Sequence, residues 1–126
     1  VWGNAACGLT QPRWGIRSSG RCSTLLQQTP NIAAVFHGHD HFYARQELDG
    51  IVYQLVPQPA HGSERPPSAE EYGYRSGSFL PGSGHLRVRV TPEGATVDFI
   101  RAVLPEQERQ GARNGRVAAT YTLLPR

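Results

Sequence analysis

Three histidines, His37, His39 and His41, alternate with Gly38 and Asp40 directly behind the small-apolar run Ala33-Ala34-Val35-Phe36. Neutral imidazoles are borderline-soft donors, suited to Zn, Fe, Mn, Ni or Cu and poorly suited to Ca or Mg. In an extended segment alternate side chains share a face, so His39 and His41 can converge on one side while Asp40 points the other way. The cluster follows an apolar strand inside the sequence, unlike a terminal tag, and His39 and His41 are the expected ligands. His37 precedes Gly38 and still belongs to the strand, which suits a role behind the ligands or toward a substrate.

The elements that must position these imidazoles lie on either side. Val35 and Phe36 are β-formers bounded upstream by Pro30-Asn31, and the run reads as a short buried strand that turns at Gly38. Ahead of it, Ser18 or Ser19 can cap a short helix through Gln28, with Leu25 and Leu26 as its apolar face and Thr29-Pro30 as its stop. Helix, strand, then ligands at the strand's C-terminal end is the order of an α/β layer. Downstream, Phe42 to Leu48 and Ile51 to Val56 flank Asp49-Gly50, a strong signal for a hairpin closed by a type I′ turn. Phe42, Tyr43 and Tyr53 read as packing residues of that hairpin.

Gly38-His39-Asp40-His41-Phe42-Tyr43-Ala44-Arg45 resembles the last metal motif of the calcineurin-like metallophosphoesterases, a Gly-His-x-His after a buried strand. Within them it is similar to the purple acid phosphatases, where a Tyr and an Arg follow. The resemblance implies a metallophosphoesterase-type β-sandwich with flanking helices, an α/β fold that is mostly β in this chain. It implies metal-dependent hydrolysis of phosphate esters at a dinuclear centre of two divalent or trivalent transition-metal ions, Fe, Zn or Mn, with His39 on one ion and His41 on the other. His37 would be an acid toward the leaving group. Arg17 and Arg21, from a basic stretch with no acidic residue before Asp40, would meet the phosphate-ester substrate. Export, with a periplasmic or extracellular location, is suggested on the same ground.

The family's upstream motifs, Asp-x-His, Gly-Asp and Gly-Asn-His, have no counterpart here. Residues 1–126 are therefore expected to be the C-terminal portion of one metallophosphoesterase domain, to need an upstream part of that domain as partner, and to be inactive alone. A metallo-β-lactamase-like motif, His-x-His-x-Asp-His, fails in its spacing, because Asp40 follows His39 directly. The alternative of another class is a non-catalytic β-rich module holding one ion on all three histidines.

The 126 residues carry a formal charge of +3, with every basic residue an arginine. These arginines are dispersed and no nucleic-acid motif accompanies them, so no nucleic-acid partner is expected. No apolar stretch is long enough for a membrane span. Cys7 and Cys22 permit one disulfide, worth about 3 kcal/mol in the chain-entropy picture, without demanding it. The segment from Pro57 to Gly84 is dense in Pro, Gly and Ser, signals no packed element, and is expected to be a mobile loop containing an exposed His61. Beyond it, Leu86 to Val90 and Ala95 to Arg101 alternate about a turn at Thr91-Pro92-Glu93-Gly94. Leu86, Val88, Val90, Val97 and Phe99 should face a core while Arg87, Arg89 and Asp98 face water, and His85 is structural. Pro105 to Gly115 reads as a surface loop or frayed helix, and Val117 to Leu124 as a last strand.

Overall fold

A computed structural model describes residues 26, 28–38, 41–59 and 77–125. Their architecture is mostly β: strands β1 (Ala34–His37), β2 (Tyr43–Leu48), β3 (Ile51–Leu55) and β4 (Ser78–Leu80) form one sheet in the order β1-β3-β2-β4. Strands β5 (Gly84–Thr91), β6 (Gly94–Arg101) and β7 (Val117–Leu123) form a second, in sequence order. Among the described residues, helix is confined to Leu26 and Gln28, at the end of the expected first helix, and to a 3-10 turn at Pro105–Gln107.

Local chemistry accounts for the turns. Asp49 and Gly50 both take positive φ, 53° and 73°, which is what a type I′ turn demands and what Asp-Gly tolerates at least cost. Leu48 and Ile51 then pair across it and β2 and β3 run antiparallel to Ala44 and Leu55. The second hairpin closes through Pro92-Glu93, with Thr91 opposite Gly94. Gly94 has φ 150°, and a side chain there would run into the Leu123 carbonyl of β7.

The two sheets pack face to face. Val52, with Ala34 beside it, meets Val97, Tyr121, Leu86 and Leu123 of the second sheet. Nearby, the Tyr43 ring stacks on Phe99 with centroids 5.0 Å apart. Phe42, Ala44 and Leu55 with Phe79 form another buried cluster on the first sheet. Strand β3 is thus buried along nearly its whole length, which explains its almost unbroken apolar sequence.

Four expectations change. The Pro57 to Gly84 segment is not free of packed elements, because Pro57 is fully buried, Ser78–Leu80 pairs with β2, and Gly84 begins β5; residues 60–76, His61 among them, lie outside the described residues. Strand β1 is only half-buried and Phe36 is exposed, since among the described strands β1 pairs on one side alone. Val88 and Val90 are on the inner face by register, opposite Val97 and Ala95, yet Val90 is 78% exposed. The eight-residue strands β5 and β6 outrun the shorter strands facing them, so the hairpin tip overhangs into solvent.

Asp98 is the fourth: it lies on the outer face but is covered by its own neighbours. Arg87 donates to it through Nε at 3.2 Å and Nη2 at 2.9 Å, the Thr120 hydroxyl donates at 2.7 Å, and Arg89 stands at 3.5 Å. The Thr120 hydroxyl bond, then the Arg87 bond, hold its carboxyl below the ordinary carboxylate range. A depressed folded pKa gives stability that is present above the unfolded value of about 3.9 and lost as pH falls through the folded one. Asp98→Asn should therefore lower the urea midpoint at pH 7 and change it much less at pH 2. An equal loss at both pH values would contradict this.

Candidate metal centre

The sheet order decides where the histidines stand. Leu55, the last residue of β3, is flanked by His37 of the parallel β1 on one side and by Ala44 of the antiparallel β2 on the other. The chain between His37 and Ala44 must therefore cross over the C-terminal end of β3, a span of two strand spacings or about 10 Å. The parallel ladder holds to its last residue: Val56 N–H donates to the His37 carbonyl at 2.7 Å. His37 closes β1 and is half-buried, and His41 lies exposed in the bend before Phe42. His39 and Asp40 lie outside the described residues, as do Arg17 and Arg21. The structure brings His37 and His41 to one end of the sheet, the C-terminal end of β3.

Beneath the crossing lies a residue that the sequence reading did not single out. Gln54 is fully buried, and its Nε2 donates to the Ala44 carbonyl at 3.1 Å and the Leu55 carbonyl at 2.8 Å. It ties together the strand that leaves the histidine segment and the strand that this segment crosses. A polar residue within Ile51-Val52-Tyr53-Gln54-Leu55 was the available signal, since a buried amide needs partners. Gln54→Leu keeps the volume and removes both bonds, and should cost about 1–3 kcal/mol in urea unfolding. A change within 0.5 kcal/mol or so would show that the amide is dispensable.

Tyr43 and Arg45, which follow the histidines, take structural posts. Burial raises the Tyr43 phenol above its ordinary value, against a smaller opposing effect of Arg45, so it remains neutral and packs on Phe99. The Arg45 guanidinium sits 4.4 Å from the centroid of the Tyr121 ring, a cation–π strut between the sheets, with Glu47 at 3.7 Å. Tyr121 is raised still further, again chiefly by burial.

Among the described residues no group of three or more His, Cys, Asp or Glu side chains gathers. The donors that are described fit a borderline transition ion in type: two imidazoles at one sheet end, His41 at the surface where an ion can reach it. Comparison with known proteins brings no relative to bear, since no family model matches the chain and no curated protein matches it. No described helix is long and apolar enough to cross a membrane.

Proposed function

We propose that the chain contributes the Gly38-His39-Asp40-His41 segment to a metal-dependent phosphoesterase of the calcineurin-like type, in a metallophosphoesterase-type β-sandwich. The observation that supports it is the crossing of His37 to Ala44 over the end of β3, in a sheet that pairs β1 and β3 in parallel. Gln54, bonded to the carbonyls of Ala44 and Leu55, ties the start of β2 to the end of β3 beside that crossing. His39 and His41 would each hold one of two transition ions, Fe, Zn or Mn, and the remaining donors come from outside the described residues. Bound ions of this kind activate water and neutralise phosphoryl oxygens. His37, in the last rung of β1, would act on the leaving group or brace a ligand. Arg17 and Arg21 keep their proposed substrate role.

The test is hydrolysis of an aryl phosphate ester by the metal-loaded protein together with the ligand-bearing segment that completes the centre. His39→Ala and His41→Ala should each abolish it. Residues 1–126 alone, loaded with zinc, iron or manganese, should hydrolyse no faster than the double variant. Undiminished turnover in the double variant would overturn the proposal.

A further inference from the structure

A second cationic feature stands at the same end of the sandwich. Strand β4 runs antiparallel to β2 with Leu80 opposite Tyr43, the first residue of β2, so Pro81 and Gly82 follow at the histidine end of that sheet. Arg101, at the end of β6, reaches across from the second sheet: its Nη1 donates to the Pro81 carbonyl and lies against Gly82, where a side chain would strike it. Its guanidinium carbon is 5.2 Å from the centroid of the Phe99 ring, whose other neighbour is Tyr43.

This seat is built, and it is incompletely paired. Arg101 Nε is buried with no hydrogen-bond partner, and Nη1 donates to the Pro81 carbonyl. Arg116 lies directly across the β6–β7 ladder, where Arg101 N–H donates to the Arg116 carbonyl at 2.9 Å and Gly115 N–H to the Arg101 carbonyl at 2.9 Å. No described carboxylate makes an ion pair with either arginine. Burial, then the Arg116 charge, lowers the Arg101 pKa from its ordinary value. Like charges facing one another across a ladder destabilise it unless an anion joins them.

We propose that Arg101, with Arg116 beside it, forms a phosphate-binding site next to the histidine segment and takes the phosphoryl group or a neighbouring anionic group of a phosphate ester. A planar guanidinium held by a carbonyl and an aromatic face presents its free edge to a phosphate oxygen with little ordering left to do. The substrate assigned to the site rests on the phosphoesterase reading, whereas the anion site itself rests on this geometry.

The experiment titrates residues 1–126, metal-free and zinc-loaded, with inorganic phosphate by calorimetry and follows the Arg101 Nε–H resonance. The metal-free chain should bind phosphate and shift that resonance, and Arg101→Gln should weaken binding about tenfold, or about 1.4 kcal/mol. Arg101→Lys, which keeps the charge and loses the planar fork, should fall between. The exposed Arg116→Gln, which is expected to fold even if Arg101→Gln does not, should weaken binding about threefold. Wild-type affinity in Arg116→Gln or Arg101→Gln, or no binding by the metal-free chain, would overturn the proposal. Loss of zinc binding with phosphate binding intact would strike the phosphoesterase reading instead.

Discussion

His39→Ala or His41→Ala, made singly, should lower zinc affinity by at least about 100-fold, whereas His37→Ala should cost no more than about tenfold. The asymmetry follows from where each histidine stands. His37 is the last rung of β1, its carbonyl engaged by Val56 and its residue paired with Leu55, so its backbone is set by the sheet. His41 stands in the bend before β2 and is exposed, with an imidazole that can meet an ion at the surface. His39 is the other histidine of the Gly-His-x-His pattern. Isothermal titration with zinc on the three single variants measures the ranking. A His37→Ala protein that binds as weakly as the His39 or His41 variants would contradict it and favour a module with one ion on three imidazoles.

The largest loss of stability is expected at Phe99. This ring is 0% exposed, stacks on Tyr43 of the other sheet and lies under the Arg101 guanidinium. Phe99→Ala removes a large side chain from between the sheets and leaves a cavity where both sheets meet, a change that costs about 3–5 kcal/mol. Val90→Ala, in the neighbouring strand, should fall within about 0.5 kcal/mol because the side chain overhangs in solvent. Urea unfolding of the two variants side by side gives the contrast. The Phe99 variant should also lose phosphate affinity, since the face that orients Arg101 is gone; equal stability of the two variants would contradict the packing described here.

Much of the strand layout was legible because it rests on local chemistry. Asp49-Gly50 specifies a turn with two positive φ values, and the alternation from Leu86 to Arg101 specifies a two-faced hairpin. Periodicity names a face but not what covers it, which is why Val88 and Val90 share the inner face with Val97 and yet stand in solvent. It also misses burial produced by polar neighbours, as at Asp98 beneath Arg87 and Thr120. Strand β4 was hidden because Ser78-Phe79-Leu80 is three residues between glycines and a proline, too short to show a period, and is held by pairing with distant β2.

The histidine segment was legible as a motif, and its support was not. That Leu55 separates His37 from Ala44 is a matter of sheet order, which no local pattern encodes. Gln54 announced itself only as a polar residue in an apolar run. Arg101 looked like any of the arginines on an amphipathic hairpin, until the pairing of Leu80 with Tyr43 carried Pro81 and Gly82 to the histidine end.

The central claim is that His39 and His41, without His37, serve as ligands in a two-ion site. X-ray absorption at the zinc edge of the zinc-loaded protein, recorded for wild type and His37→Ala, measures the imidazoles around each ion. The proposal predicts one imidazole of this chain per zinc, oxygen donors filling the rest of the shell, and spectra that the His37→Ala change leaves unaltered. Three imidazoles on a single zinc, falling to two in His37→Ala, would contradict it.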